Sequence, residues 1–252
     1  MKKKTSLGYK ILIALIRFFY GKVEVEGMEN YPEKNAILVA NHAQMNGPIC
    51  GELYLPDNCY IWCAGEMMKW KEVQPYAFQD FWSQKSKLTQ PYYKLLSYLI
   101  APLAVCLFNN ARTIPVYKDM RVMSAFKISL QMLSEGRNIL IFPEKDEKHN
   151  NVIYQFQENF VDIAKLYYKK TGEELVFVPV YVAPRLRRVY IGEGIAYNSE
   201  CGIEDEKSRL CKELSDEITK MARSLPEHTV VPYRNIPKRH YLKNTDITEV
   251  PR

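Results

Sequence analysis

The sequence predicts an α/β fold: a mixed, largely parallel sheet flanked by helices, with an N-terminal amphipathic helix that associates with membrane. Three observations predict it. Short, wholly apolar runs suit strands covered on both faces. Segments with apolar residues at helical spacing alternate with those runs. No repeat or low-complexity linker divides the 252 residues, of which 47% are hydrophobic and 25% charged, a composition that fits a substantial core and excludes disorder.

Taken in order, Ile11 to Tyr20 is apolar apart from Arg17 and follows Lys2, Lys3 and Lys4. Ten residues are too few to span a bilayer, and no small-residue cleavage site follows. Helical spacing puts Tyr9, Leu12, Ile13, Ile16 and Phe19 or Tyr20 on one face. We expect an interfacial helix within residues 1–22, its basic start against lipid phosphates. Packing of that face on the protein's own core is the alternative. Strands are expected at Ala36–Ala40, Asn138–Phe142, Val176–Ala183 and Val189–Ala196. Pro179, inside the third, implies an edge or a bulge, because proline cannot donate to a ladder. Helices are expected through Val122, Phe126, Leu130 and Leu133 with Gly136 as the stop. Others run through Phe156, Phe160, Ile163, Ala164 and Tyr167 up to Gly172, and through Leu210, Leu214, Ile218 and Met221. Glu66 to Tyr93 mixes aromatics, methionines and lysines without a period, which suits either an acyl pocket or membrane interface, or satellite core. Leu95 to Phe108, broken by Pro102, reads as a buried or membrane-resting hairpin too short to span. The division implied is an interfacial helix over 1–22, an α/β domain over 23–230 and a basic tail over 231–252.

The net charge of +6 is unevenly placed, with Arg185, Arg187 and Arg188 together and a basic stretch from Arg234 to His240. Such clusters suit anionic lipid head groups or phosphorylated substrates. No aromatic–basic motif of a nucleic-acid-binding module is present, so no nucleic-acid partner is expected. None of the six cysteines forms a C-x-x-C pair or has a histidine at zinc-ligand spacing. They read as reduced cysteines of a cytosolic part, and no metal or bound cofactor is implied.

In open α/β sheets the ligand crevice lies beyond the carboxyl ends of strands, so residues there are the first candidates for chemistry. Four stretches qualify: Asn41-His42, Ile114 to Lys118, Phe142-Pro143-Glu144-Lys145, and Val178-Pro179-Val180. A histidine at a strand exit suits a general base, because its ordinary pKa lies near neutrality.

In this order and at these separations, the stretches resemble the four blocks of the glycerolipid acyltransferases, the family of the lysophosphatidic acid acyltransferase. The family carries N-H-x4-D, an apolar stretch ending V-D-R or similar, F-P-E-G, and an apolar V-P-V-like strand. Ile191-Gly192-Glu193-Gly194-Ile195 resembles its late I-G-E-P-I strand. The resemblance spans roughly residues 23–197. It implies acyl transfer from acyl-CoA or acyl-carrier protein, as co-substrate, to the hydroxyl of a lysophospholipid-type or glycerol-phosphate acceptor. It also implies residence on the cytoplasmic face of a membrane as a peripheral or monotopic protein. His42 is then the catalytic base, and Asn41, Lys118, Arg121, Glu144, Lys145 and Arg185 are candidates to hold the substrate.

Three positions depart from the family's blocks. Gly47 stands where the imidazole-orienting aspartate belongs, Lys118 replaces the arginine, and Lys145 replaces the glycine of F-P-E-G. Gln44 and Asn46, near in sequence, are candidates to support the histidine instead, as are Asp119, Glu144, Asp146 and Glu147 through space. The reading is a retained acyltransferase, with a lipid- or acyl-carrier-binding protein without turnover as the alternative. On this reading Gly47→Asp preserves or raises turnover.

Overall fold

The computed structural model describes residues 6–83, 85–145, 152–153 and 155–246. The lysine cluster at the start, the last part of the basic tail, and Asp146 and Glu147 lie outside them. Among the described residues there are seven α-helices and eight strands. In chain order these begin α1 (Leu7–Tyr20), β1 (Glu24–Glu26), β2 (Ala36–Ala40), α2 (Asn46–Tyr54) and β3 (Cys59–Ala64). Next come α3 (Trp70–Ala77), α4 (Gln90–Asn110), β4 (Thr113–Val116), α5 (Val122–Ser134) and β5 (Asn138–Ile141). The chain closes with α6 (Asp162–Thr171), β6 (Val176–Ala183), β7 (Arg188–Ile191), β8 (Ile195–Ala196) and α7 (Ile203–Ser224). The chain forms two compact units: one of Met1–Lys22 with Tyr60–Ile128, the other of Val23–Cys59 with Ser129–Arg252, the division falling within α5.

The second unit holds the sheet that matters for chemistry. β2 pairs in parallel with β5 on one side and β6 on the other, and β1 pairs in parallel with β7. The β6–β7 and β6–β8 pairs are antiparallel. The pairing is therefore mixed and largely parallel, as expected. All five residues of β2 and all four of β5 are buried, the mark of strands covered on both faces. Strand β6 is not an edge, because it lies between β2 and β7. Pro179 is tolerated there because its backbone faces a break in the neighbouring ladder. Its carbonyl accepts from Gly192 N–H at 2.9 Å, just past the end of β7 and before β8 begins. The run expected as one strand, Val189–Ala196, is split at that break. A Cβ on Gly194 would come within 2.5 Å of Val176 Cγ1, so the chain closes onto β6 there only because the residue is glycine.

The first unit pairs β3 and β4 in parallel and packs α1, α3 and α4 together. The stretch expected as a hairpin is one helix: α4 runs through Pro102 for 21 residues. At about 1.5 Å per residue it is about 32 Å long, close to the thickness of a bilayer's hydrocarbon core. It is the one described helix long and apolar enough to cross a membrane. The segment before it divides between two roles. Met67 and Val73 join Ala101 in a small core, whereas Trp70 is exposed.

Helix α1 corrects the expected orientation. Ser6 caps it by accepting from Tyr9 N–H, and Asn110 Oδ1 of α4 accepts from Ser6 N–H at 3.1 Å. Tyr9 is buried, and Leu12, Ile13, Ile16 and Tyr20 are partly covered. The face singled out by spacing is thus the one turned to the protein. A second apolar face, Leu7, Ile11, Leu15 and Phe18, with Phe19 beside it, is exposed, Phe18 at 79% and Phe19 at 80%. On α4 the residues Tyr92, Leu95, Leu99 and Leu103 are likewise exposed.

Candidate active site

Strand β2 ends at Ala40, and the next two residues are fixed by different means. Asn41, 2% exposed, extends the ladder with its side chain: Val182 N–H donates to its Oδ1 at 2.7 Å, and its Nδ2 donates to Val182 O at 3.0 Å. Both ends of the amide are spent on main chain. Asn41 therefore positions the strand exit and is not the substrate contact expected of it. His42 follows, half-buried, and its main-chain N–H donates to Glu144 Oε1. The carboxyl after β5 thereby ties the two strand ends together.

The imidazole is oriented by the chain just after it. His42 Nδ1 meets the main-chain oxygen of Gln44. A carbonyl oxygen only accepts, so Nδ1 carries the proton and Nε2 is the basic nitrogen. Gln44 thus reaches the histidine through its backbone, not its amide side chain. This is possible because Ala43 and Gln44 adopt φ of 45° and 57°, the left-handed region. Non-glycine residues there cost of order 1 kcal/mol each and need tethers. Asn46 supplies one, donating from Nδ2 to Ala43 O at 2.7 Å, so it supports the turn and not the ring.

Gly47 is required by close approach. A Cβ there would lie 2.6 Å from both His42 O and the Phe142 ring. Gly47 N–H also donates to His42 O at 3.0 Å. An aspartate enters this position only by displacing the His42 backbone or Phe142, which argues against the expectation that Gly47→Asp preserves turnover.

Two rings flank the imidazole, Phe142 at 5.0 Å and Tyr233 at 4.9 Å between centroids. Burial pushes the imidazole pKa down to about 4, against the opposing pull of the Gln44 carbonyl. The imidazole is therefore neutral at physiological pH. Burial pushes Glu144 the other way, up to about 8, although the His42 N–H favours its charged form. At neutral pH Glu144 is mostly a neutral acid. Its Oε1 accepts from the histidine's backbone, which gives it a positioning role at the strand exit in place of the phosphate contact expected.

The cationic candidates differ. Lys145 is exposed and its Nζ donates to Gln155 Oε1 at 3.1 Å. Arg185 is exposed in the turn after β6, three residues past Val182. It therefore lies at the same carboxyl end of the sheet as Asn41. Lys118 and Arg121 belong to the other unit, where Lys118 is exposed. Arg121 is occupied: it pairs with Asp119 at 2.7 Å and Glu72 at 3.3 Å, and lies 3.7 Å over the Tyr117 ring. That pairing holds the Asp119 carboxyl down near 2, so Asp119 serves the arginine and not the histidine.

Sequence reasoning missed the contribution of the C-terminal segment, read as a basic tail. Tyr233 packs on the imidazole. Gln44 Nε2 donates to the Tyr241 hydroxyl at 2.7 Å and to Arg234 O at 3.4 Å. The signal was available only as aromatics scattered among basic residues, Tyr233 and Tyr241 around Arg234, Lys238 and Arg239.

The arrangement is a neutral imidazole with a fixed tautomer, an unprotonated Nε2, and a main-chain carbonyl at Nδ1 in place of the usual carboxylate. Comparison with known proteins agrees with the four blocks. The acyltransferase family model matches residues 22–183. No curated protein matches the sequence significantly. Among solved structures, the chain is similar to the 1-acyl-sn-glycerophosphate (LPA) acyltransferase PlsC from Thermotoga maritima. Identity is 18%, the TM-score is 0.45, and the match covers 86% of this chain and 78% of that one. With the family model covering well over half its residues, this chain belongs to the acyltransferase family, the group whose glycerolipid members its motifs resemble.

Proposed function

We propose that the protein moves a fatty acyl group from a thioester, acyl-CoA or acyl-carrier protein, to the hydroxyl of a lysophospholipid-type or glycerol-phosphate acceptor. The observation that carries this reading is the His42 imidazole, held neutral with its Nδ1 proton on the Gln44 carbonyl. Nε2 takes the acceptor's hydroxyl proton as the oxygen attacks the thioester carbonyl carbon. The carbon–sulfur bond then breaks, and the imidazolium returns the proton to the leaving thiolate. A carbonyl fixes the tautomer as a carboxylate does, but stabilises the imidazolium less, so turnover is slower than with an aspartate. The exposed cations Lys145 and Arg185, in the same unit as His42, suit the acceptor's phosphate. The exposed apolar faces of α1 and α4 support work at a membrane surface.

The test is an assay of purified protein with labelled acyl-CoA or acyl-carrier protein. Lysophospholipid, glycerol 3-phosphate and unphosphorylated acceptors are compared. Turnover with a phosphorylated acceptor is expected, and His42→Ala should reduce it by about 100-fold or more. Lipid binding without turnover on any acceptor would overturn the enzyme reading. It would favour the alternative that the lost aspartate at position 47 ended catalysis.

A further inference from the structure

A main-chain carbonyl orients an imidazole only as firmly as its peptide plane is held. The plane here belongs to a turn with two non-glycine residues in the left-handed region, so relaxation would swing the carbonyl off Nδ1. The Asn46 bond holds the Ala43 end. The Gln44 end is held from outside the loop, by the Tyr241 hydroxyl and the Arg234 carbonyl. These two lie on a segment that starts more than forty residues after the family match ends at 183.

That segment is itself anchored. Val230 N–H donates to Leu242 O at 2.9 Å, and His228 and Asn244 exchange bonds of 2.9 and 3.0 Å. The Asn244 side chain, fully buried, donates to Ala222 O at the end of α7 at 2.9 Å. His228 Nε2 meets the Tyr181 hydroxyl of β6 at 2.7 Å. The strap from 228 to 244 is thus fastened at both ends, with Tyr233, Arg234 and Tyr241 facing the histidine loop between them.

We propose that this C-terminal strap is a positioning element of the active site: through Tyr241 it holds Gln44, and through the Gln44 carbonyl it fixes His42 in the Nδ1–H tautomer. It supplies by a two-step tether the orientation that a motif aspartate supplies directly. The proposal rests on His42 as the base, but its first readout does not require turnover.

The test uses the full chain with 15N-labelled histidine, its His42 signals assigned with His42→Ala. The wild type should show Nδ1 protonated and Nε2 unprotonated. Tyr241→Phe removes the hydroxyl, and Gln44→Met keeps side-chain length but removes the donor. Each should give a mixture of tautomers, with kcat down by about tenfold and KM little changed. The double variant should be no worse than Gln44→Met alone, because that change already removes the bond to Tyr241 together with the one to Arg234. Melting temperature is followed in all three, and Gln44→Met leaves the strap's own bonds intact if Tyr241→Phe unfolds. An unchanged tautomer in folded Tyr241→Phe or Gln44→Met, or losses that add in the double variant, would overturn the proposal. A shifted tautomer in a protein without turnover in any form would leave the strap's role standing and remove the acyl-transfer reading instead.

Discussion

Strand β2 and helix α4 are both apolar, yet they meet opposite surroundings. Ile37, Leu38 and Val39 are 0% exposed between two parallel neighbours. Leu95, Leu99 and Leu103 on α4 are each more than half exposed. A strand whose sheet is covered on both faces leaves its side chains only the interior to enter. A helix satisfies its own backbone, so one stripe is free to face a different medium. Apolar content alone therefore does not say whether a residue stabilises the fold or a membrane contact.

The contrast breaks first if a deletion costs the same in both places. Leu38→Ala should destabilise the protein by about 2–5 kcal/mol in denaturant unfolding, through lost transfer energy and a cavity. Leu103→Ala, already exposed, should stay within about 0.5 kcal/mol of the wild type. In liposome sedimentation the ranking should reverse. Phe18→Ser with Phe19→Ser should lower partitioning by about tenfold or more, since each ring withdraws apolar surface from the bilayer, while melting stays unchanged. Equal partitioning would mean that α1's outer face is not the lipid contact.

At the histidine, Gly47→Asp should cost about 1–3 kcal/mol by overpacking against Phe142 and the His42 carbonyl. It should also remove turnover, measured in the same acyl-transfer assay. A folded, faster Gly47→Asp would show that the turn can rebuild itself around a carboxylate.

The last effect is a pH dependence. Glu144 rises from 4.5 to about 8 on folding, so its contribution is full below pH 4.5 and is lost as pH rises through 8. His42 falls from 6.5 to about 4, so its contribution is full above pH 6.5 and is lost as pH falls through 4. Between pH 4.5 and 6.5 the two slopes oppose. Above 6.5 only Glu144 acts, and stability should decline toward pH 8. Glu144→Gln, which still accepts from the His42 N–H, should flatten that decline in melts across this range. The acid limb of kcat/KM should fall near pH 4 instead of near 6.5.

Much of the fold was legible because its signals are local. Ala36–Ala40 and Val176–Ala183 are strands to the residue, and Gly172 caps α6 in the left-handed conformation. The failures have non-local causes. Pro102 did not stop α4, because an outward-facing helix tolerates a missing donor at one turn. Pro179 did not mark an edge, because the break lies in the partner strand. The face chosen on α1 was apolar, but so was its opposite, and only packing on α4 decided which was covered.

By itself the sequence determined the order of the elements, the strand that delivers His42, and the family through blocks whose spacing is written along the chain. It also exposed the missing carboxylate at Gly47. What replaces that carboxylate was decided only in three dimensions, because the answer is a main-chain oxygen. Every residue has one, so no residue type announces it. Two left-handed residues aim it, and a tyrosine 197 positions from Gln44 holds the side chain that steadies it.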